Sequence, residues 1–329
     1  MKRKGPNMGM LVSGLASSHA NTLVDPSRWD ERRERNRSMY RRRYHVEPPN
    51  HPNVALETLE VKRQRYQSVR KGLDFLRTQL HEKKPDALIL IGDDQDENFS
   101  ESNLPQVALY LGERFIAVDR HTSGAGEVRK PYRCHAELAA GLLNGLVERG
   151  FDLSYAKSFP RDELLAHAHA PVLSTVLPEA EIPVVLLFVN AIHMPAISPS
   201  RCYSLGWAVK EIVEGLNAVD RVAIYASGGL SHFTAGYPWP FYKGPHGYGS
   251  ICEEFDRRIL ESMARGEGTA LGSLTSQDLL DHGEIELRSW ITLLGAMEKA
   301  PAKVLAYEPF YSAPMAMSVA YWDLENGES

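Results

Sequence analysis

Two apolar segments that each end in small residues and a histidine constrain the fold of this chain more than any other feature. Residues 221–232 read RVAIYASGGLSH and end at His232, and residues 10–19 read MLVSGLASSH and end at His19. Each apolar run has the length of a buried strand, and the small residues after it allow a sharp turn close to a ligand. Open α/β sheets bind ligands at the carboxyl ends of their strands. Both histidines are therefore candidates for one functional site.

Strands and helices alternate along the rest of the sequence. Apolar runs predict strands over residues 8–19, 87–91, 115–118, 182–189, 221–225, 303–307 and 316–321. Helical periodicity predicts helices over residues 54–82, 135–148, 203–216, 251–264 and 285–297. Because the strands are apolar throughout, we expect an α/β fold with a central mixed, largely parallel sheet covered by helices on both faces. With no internal repeat or low-complexity linker, residues 1–329 are interpreted as a single catalytic-type domain.

Composition and charge narrow the range of functions. Hydrophobic residues make up 43% of the chain, charged residues 24%, and the net charge is −5. This balance is ordinary for a globular protein and indicates neither nucleic acid nor a membrane surface as a partner. No run of 18 apolar residues predicts a membrane span. Three cysteines without metal or redox spacing indicate reduced thiols, and hence a cytoplasmic location.

An arginine-rich segment, residues 24–50, is predicted to be inserted within this domain. Eight arginines lie between Arg28 and Arg43, against only three carboxylates. One interpretation is a solvated helix with its own ion pairs. Another is a cover or subunit contact that brings one or two arginines to an anionic substrate, where a guanidinium pairs with a carboxylate in bidentate fashion. Nucleic-acid binding is disfavoured because the rest of the chain is acidic.

Several further motifs accompany the two histidines. Residues 93–99 read DDQDENF after an apolar strand, residues 190–195 read NAIHMP, residues 201–206 read RCYSLG, and residues 286–296 read ELRSWITLLGA. In this order the motifs resemble the catalytic β-subunit of class III extradiol ring-cleavage dioxygenases, similar to protocatechuate 4,5-dioxygenase. The resemblance extends from about residue 8 to residue 325.

The resemblance implies a non-haem Fe(II) held by two histidines and a glutamate, with open positions for a catecholate and O2. It implies that His19 and Glu286 are ligands, whereas Gln95 stands where the family has its second ligand histidine. Asp93 or Asp94 could supply a carboxylate instead. An oxygen-rich site of this kind raises the chance of Mn(II). We therefore expect a variant branch of the family with Gly-Asp-Asp-Gln at this position.

The same resemblance assigns the acid/base role to His232, which would take a proton from the substrate and later return it. His167 falls near a further active-site histidine of the family, and His169 competes with it. His193 follows another strand end and could face the pocket.

Structural interpretations stay open for these residues. Strand-end histidines can be held by local hydrogen bonds, and Glu286 could be a helix cap. Glu284 competes with Glu286 for the role in the site. Asp94 and Gln95 could simply close a turn. Residues 237–249, rich in aromatics, glycine and proline, could wall an aromatic pocket or form a packed loop. His121 and His135 are expected at the surface or in the core.

The sequence as a whole predicts an oxidoreductase of aromatic compound catabolism: an iron-dependent extradiol dioxygenase acting on a small dihydroxylated aromatic compound and O2. A non-catalytic or regulatory homologue, in which Gln95 has removed a strong ligand, is one alternative. A hydrolase that uses a metal-bound water is another. We expect a homodimer or higher homo-oligomer. The site would be covered either by a separate small subunit or by the arginine-rich segment together with self-association.

Overall fold

The computed structural model describes residues 8–20, 24–45, 47, 50–119, 128–159, 165, 167–232 and 251–325. The strands are β1 (Met10–Ser17), β2 (Ala87–Gly92), β3 (Val107–Tyr110), β4 (Arg114–Asp119), β5 (Val128–Arg133), β6 (Ser154–Ala156), β7 (Val184–Val189), β8 (Arg221–Ser227), β9 (Lys303–Phe310) and β10 (Met315–Asp323). The α-helices are α1 (Trp29–Tyr44), α2 (Leu59–Lys83), α3 (Ala136–Glu148), α4 (Ala170–Val176), α5 (Pro199–Gly215), α6 (Glu253–Ala264), α7 (Gly268–Gly272), α8 (Ser276–Asp281) and α9 (Leu287–Met297). Short 3₁₀ turns precede α1 at Pro26–Arg28 and α2 at Pro52–Leu56.

Eight strands form one sheet in the order β6-β3-β7-β2-β8-β1-β10-β9. The four central strands, β7, β2, β8 and β1, are parallel to one another, whereas β3 and β10 join them in the antiparallel sense. The prediction of a mixed, largely parallel central sheet is therefore confirmed. β4 and β5 form a separate two-stranded sheet, so the strand predicted over residues 115–118 exists but lies outside the main sheet.

Side chains alternate between the two faces of the sheet, as the strand repeat requires. Along β2, Ile89 and Ile91 pack into the core beneath α3, α5, α6 and α9, whereas Leu88 and Leu90 pack into the core beneath α2 and α4. This arrangement confirms that helices cover both faces. No helix in the part of the chain described above is long and apolar enough to cross a membrane.

The contact between α5 and α9 fixes the position of the segment that carries Glu286. A Cβ atom at Gly206 would lie 1.7 Å from the carbonyl oxygen of Thr292, and one at Gly295 would lie 2.0 Å from the carbonyl oxygen of Tyr203. Only glycine permits the backbones of the two helices to approach this closely. The glycines of the RCYSLG and ELRSWITLLGA motifs are therefore packing residues that seat α9 against the sheet.

Element boundaries differ from the sequence expectations where local capping intervenes. The helix predicted from residue 54 begins at Leu59, because the preceding residues form a 3₁₀ turn and Thr58 Oγ1 accepts the N–H of Val61. α5 begins four residues earlier than predicted, at Pro199, with Ser198 as its cap. The strands β3, β5 and β6 and the helices α4, α7 and α8 were not predicted. β5 (VRKPYR) has three charged residues instead of an apolar run, and the others are too brief to show a clear period.

The arginine-rich segment folds as α1 and carries its own ion pairs. Arg33 pairs with Asp30, Arg41 pairs with Glu34, and Lys62 of α2 reaches Asp30. At the start of the helix the Trp29 ring is fully buried, and it stacks on Phe310 with the ring centroids 4.1 Å apart. The solvated-helix interpretation agrees with these ion pairs, while the role of α1 as a cover stays a prediction.

Candidate metal and catalytic site

The parallel strands deliver polar side chains to one edge of the sheet. β1 is followed within two residues by His19, β2 directly by Asp93, and β8 by the loop of residues 228–232. The Glu286 side chain reaches the same edge from the start of α9. All four of the acidic and imidazole side chains involved are at least 95% buried: His19, Asp93, His232 and Glu286. This is the edge at which parallel α/β sheets bind their ligands.

His19, Asp93 and His167 form a compact group of donors. One ligand atom from each residue lies within 4.8 Å of those of the other two. Two donors on opposite sides of a first-row metal ion are about 4 Å apart, because each metal–ligand bond is about 2.0–2.2 Å long. The three side chains therefore surround a space that suits a metal ion after small side-chain movements.

The tautomer of His19 follows from its neighbours. Ser227 Oγ donates its single proton to the carbonyl oxygen of Ala168, and it lies 3.1 Å from His19 Nδ1. Since the hydroxyl proton is committed, Nδ1–H of His19 must be the donor in this contact. Burial lowers the pKa of His19 to about 3, so the ring is neutral. A neutral ring with its proton on Nδ1 carries its lone pair on Nε2, the atom that would bind a metal.

His167 forms an ion pair with Glu97. Its Nδ1 lies 2.5 Å from Glu97 Oε1, and its backbone N–H also donates to this oxygen. Burial by itself would lower the pKa of His167, but the hydrogen bond and charge of Glu97 raise it to about 9. The pKa of Glu97 falls to about 2, because the imidazolium outweighs the effect of burial. His167 is thus a cation at neutral pH unless a metal or substrate displaces its proton.

Gln95 connects the two buried carboxylates. Its Nε2 donates to Asp93 Oδ2 and to Glu286 Oε1, both at 3.2 Å. Burial, followed by the charge of Glu286, raises the pKa of Asp93 to about 8. The amide group of Gln95, rather than its carbonyl oxygen, therefore faces both acids. Its assignment as a metal ligand stays a prediction.

Glu286 and the loop of residues 228–232 stabilise each other through hydrogen bonds and close packing. The Gly229 N–H donates to Glu286 Oε2 at 2.9 Å, and Trp290, one helical turn further along, donates Nε1–H to the carbonyl oxygen of Gly228 at 2.9 Å. Gly229 has a φ of 62°, in the left-handed region that favours glycine. A Cβ at Gly228 would lie 3.0 Å from that of Glu286. The two most specific sequence motifs are therefore one structural unit.

His232 ends this loop beside Glu286. Its Nδ1–H donates to the carbonyl oxygen of Leu230 at 2.7 Å, and its Nε2 lies 3.4 Å from Glu286 Oε1. Burial lowers the pKa of His232, but the Glu286 carboxylate raises it above its usual value. The pKa of Glu286 is well below its usual value, because His232, His19 and the Gly229 N–H outweigh burial. This pair can hold a proton on His232 Nε2 next to the donor group.

The remaining sequence candidates lie around this centre. Asp94 closes the loop after β2, since its Oδ1 accepts the N–H groups of residues 97, 98 and 99 at 3.1 Å. His169 is buried and packs on Phe188 and against Gly92. His193 Nε2 lies 3.2 Å from Asp96 Oδ1 in the loop after β7.

The other residues considered at the sequence level divide into three cases. Glu284 is fully buried, with an oxygen 3.9 Å from the position of a Cβ on Gly229, behind the loop. His135 caps α3. His121 and the aromatic tract 237–249 lie outside the described residues.

Two contributors were missed by sequence reasoning. Glu97 sets the charge of His167 and Ser227 sets the tautomer of His19, but neither role has a local sequence signal because each partner is distant along the chain. Only the position of Glu97 within the acidic DDQDENF run, and of Ser227 within YASGGLSH, could have drawn attention to them.

The donor atoms of the site suit a bound metal ion. Asp93 Oδ1 is buried and has no hydrogen-bond partner in the part of the chain that the structure describes. A buried carboxylate oxygen without a partner is costly, and a cation would satisfy it. Together with a neutral imidazole Nε2 and further carboxylate oxygens, this donor set suits a divalent first-row metal.

A buried cluster of imidazoles and carboxylates at the carboxyl edge of a parallel sheet defines a candidate metalloenzyme centre. The sequence profile of the family described as the catalytic LigB subunit of aromatic ring-opening dioxygenase matches residues 49–321. The chain belongs to this family, which confirms the resemblance inferred from the motifs.

Individual relatives are more distant. The chain is 27% identical over 211 residues to a 2,3-dihydroxyphenylpropionate/2,3-dihydroxicinnamic acid 1,2-dioxygenase from Comamonas testosteroni, covering 62% of each protein. It is 27% identical over 201 residues to a gallate dioxygenase from Pseudomonas putida, covering 60% of this chain and 54% of that protein. The matched region thus spans less than two thirds of either relative. An uncharacterized protein from Escherichia coli K12 matches 94% of this chain with a TM-score of 0.47 and 12% identity.

Proposed function

We propose that this chain is a metal-dependent extradiol dioxygenase that opens the ring of a small catecholic compound. The observation that supports the proposal is the compact group of His19, Asp93 and His167, which Gln95 joins to the Glu286–His232 pair, in a chain of the ring-opening dioxygenase family. Because relatives are named for 2,3-dihydroxyphenylpropionate and for gallate, catechols that carry a carboxylate are the first candidate substrates.

The proposed ligands are His19 through Nε2, Asp93 and Glu286. His19 has the lone pair, Asp93 has an oxygen with no hydrogen-bond partner among the described residues, and Glu286 stays ionised. His167 is the competing third ligand, but its pairing with Glu97 favours an imidazolium. When bound, Fe(II), or Mn(II) as the alternative, would lower the pKa of a catechol hydroxyl and bring the catecholate and O2 together.

The protein side chains would manage the protons and charge. His232 Nε2 is the atom that would take a proton from the substrate and return it after ring cleavage, with Nδ1–H fixed on the Leu230 carbonyl. The His167 imidazolium is within reach of the same centre and would stabilise an oxyanion of the substrate. Burial of the whole cluster strengthens both effects, because water is excluded.

Metal analysis after anaerobic purification tests the ligand set. We expect His19→Ala, Asp93→Asn and Glu286→Gln to lose bound metal, and Gln95→His to retain it or bind it more tightly. The exposed His81→Ala on α2 is a matched control that should keep wild-type metal content. Loss of metal in His167→Ala with retention in Glu286→Gln would instead assign the third position to His167.

Oxygen uptake tests the activity. The wild-type protein reconstituted with Fe(II) should consume O2 with at least one catechol in a panel of carboxylated and uncharged catechols, and His232→Ala should abolish turnover while keeping the metal. Stoichiometric metal without oxygen uptake on any catechol would contradict the proposal.

One observation favours the alternative of a non-catalytic homologue. The Gln95 amide already satisfies one oxygen of Asp93 and one of Glu286, as a bound cation would. Wild-type protein that binds no metal, and gains it only in Gln95→His, would support this alternative.

A further inference from the structure

A buried carboxylate contacts the loop of residues 228–232, named here the catalytic loop. Asp256 belongs to the first turn of α6 and is fully buried, in a helix that also packs Ile259 and Met263 into the core. A carboxylate in an apolar setting is costly unless hydrogen-bond donors surround it. The donors around Asp256 therefore indicate which part of the molecule it supports.

Three donor groups converge on the two oxygens of Asp256. Ser231 donates its backbone N–H to Oδ1 at 3.3 Å and its hydroxyl to Oδ2 at 2.7 Å. Tyr307 of β9 donates its hydroxyl to Oδ2 at 2.6 Å. The Ser231 hydroxyl also accepts the N–H of Cys252, the residue before α6, at 2.8 Å. Asp256 is thus an acceptor in all three contacts, and two of them fix Ser231, the residue next to His232.

The Ser231 N–H and the Leu230 carbonyl belong to one peptide unit. The carbonyl oxygen of Leu230 accepts Nδ1–H of His232 at 2.7 Å. In a trans peptide the N–H and C=O groups lie in one plane and point in opposite directions. A single rigid unit therefore connects the Asp256 carboxylate on one side with the His232 imidazole on the other. Hydrogen bonds in such a buried chain polarise one another.

The backbone around this peptide has hydrogen bonds that do not involve Asp256. Ala316 of β10 donates its N–H to the carbonyl oxygen of Ser231 at 3.0 Å, and the His232 N–H donates to the carbonyl oxygen of Gly283 at 2.9 Å. These bonds fix the path of the catalytic loop on both sides. We therefore expect the loop to keep its path when Asp256 is replaced, while the Ser231 N–H loses its acceptor.

We propose that Asp256 is a positioning residue for His232 and acts through the peptide unit that joins Leu230 to Ser231. This inference rests on the proposed function, in which His232 moves the protons of the substrate. A carboxylate that bonds directly to a catalytic imidazole fixes its tautomer and orientation, and it contributes about 10⁴ in kcat. Because one peptide unit lies between Asp256 and His232, the effect here is of the same kind and smaller. It holds Nδ1–H in place and leaves Nε2 facing Glu286.

Steady-state oxygen uptake with 2,3-dihydroxyphenylpropionate tests the effect on turnover. In Asp256→Ala we expect kcat to fall at least about tenfold, because a misoriented general base loses part of its usual 10²–10⁴-fold contribution. In Asp256→Asn we expect a fall of about fivefold, since an amide oxygen can still accept the Ser231 N–H but carries no charge. Metal content and KM should stay within about twofold of the wild type, because the interaction acts on the chemical step.

Tyr307→Phe is the matched control. It removes another hydrogen bond to the same carboxylate and leaves the bond from the Ser231 N–H in place. Its kcat and KM should equal those of the wild type. An equal fall of kcat in Tyr307→Phe, or loss of metal in Asp256→Asn, would overturn the inference, because Asp256 would then support packing in general. An unchanged kcat in Asp256→Asn would also overturn it, even if Asp256→Ala does not fold.

Nuclear magnetic resonance separates this inference from the proposed function. In the full chain labelled with ¹⁵N-histidine and without added metal, Nδ1–H of His232 should give a downfield proton signal, identified by its loss in His232→Gln. The signal should move upfield in Asp256→Asn, because the Leu230 carbonyl is less polarised, and should stay in place in Tyr307→Phe. If the wild type consumes O2 with no catechol, the proposed function fails, but this shift is still expected. An identical signal in the wild type and both variants would overturn the positioning role of Asp256.

Discussion

Two fully buried tryptophans offer a direct test of how the catalytic loop is held. Trp290 on α9 donates its indole N–H to the carbonyl oxygen of Gly228, whereas the indole nitrogen of Trp322 on β10 has no hydrogen-bond partner among the described residues. Changing each to phenylalanine removes the same atoms from two equally buried positions. The difference between the two variants therefore isolates the hydrogen bond.

The expected difference in stability follows from the hydrogen-bonding groups that each substitution removes or leaves without a partner. Trp290→Phe leaves the Gly228 carbonyl without this donor, which costs about 1–3 kcal/mol in addition to the lost packing. Trp322→Phe loses similar packing but also removes a buried donor that has no partner within the described part of the chain, so part of its cost is offset. We therefore expect the free energy of unfolding of Trp290→Phe to be lower than that of Trp322→Phe by about 1–3 kcal/mol.

Urea unfolding followed by circular dichroism measures the difference, provided that the m-value is the same in both variants. Trp290→Phe should also retain less metal and turn over more slowly, because the same loop presents Gly229 to Glu286 and ends at His232. Trp322→Phe should keep wild-type metal content and kcat. Equal destabilisation, or an intact site in Trp290→Phe, would refute the view that this indole anchors the loop.

Three further predictions concern other parts of the chain. Burial raises the pKa of the Cys202 thiol to about 12. Iodoacetamide at pH 8 should therefore label Cys202 only after the protein unfolds, which mass spectrometry would detect. Rapid labelling of Cys202 in the native protein would contradict its burial. Trp29→Ala should lower the free energy of unfolding, measured by urea titration, by about 3–5 kcal/mol, because it removes the ring that packs α1 on Phe310. A loss below about 1 kcal/mol would show that α1 packs independently of this ring. Burial lowers the pKa of His51 below 6.5, so on acidification the unfolded chain binds a proton at His51 before the folded chain does. The contribution of His51 to the free energy of unfolding is therefore complete above about pH 6.5 and is lost as the pH falls. We expect His51→Gln to flatten the decline of stability between about pH 7 and pH 5. An unchanged pH slope in that variant would exclude His51 as the source.

The sequence predicted the parts of this molecule that have a local signature. The apolar runs of β1, β2, β7 and β8 identified the central parallel strands, and the motifs that follow β1 and β8 predicted that His19 and His232 lie at the same edge of the sheet. These predictions succeed because burial on both faces makes a strand continuously apolar, and because a parallel sheet brings all carboxyl ends to one edge.

What the sequence could not provide were relationships between distant residues. Nothing in the spacing indicates that Glu97 pairs with His167, 70 positions away, or that Ser227 contacts His19, 208 positions away. The side on which α1 packs was equally hidden, because one buried tryptophan rather than a helical apolar stripe fixes it. Such contacts depend on the three-dimensional register of the sheet, which a single sequence does not contain.

The glutamine at position 95 has a physical explanation once Asp93 is considered with it. Two buried carboxylates, Asp93 and Glu286, face one another across this position, and their repulsion contributes to the raised pKa of Asp93. A neutral imidazole has a single N–H and could donate to only one of them, whereas the NH₂ group of a glutamine donates to both. Asp93 therefore offers a donor oxygen to a metal ion, and the Gln95 amide holds the two carboxylates together. It follows that Asp93→Asn should lower metal affinity less in the Gln95→His background than in the wild type, which a double-mutant cycle of metal affinity would measure.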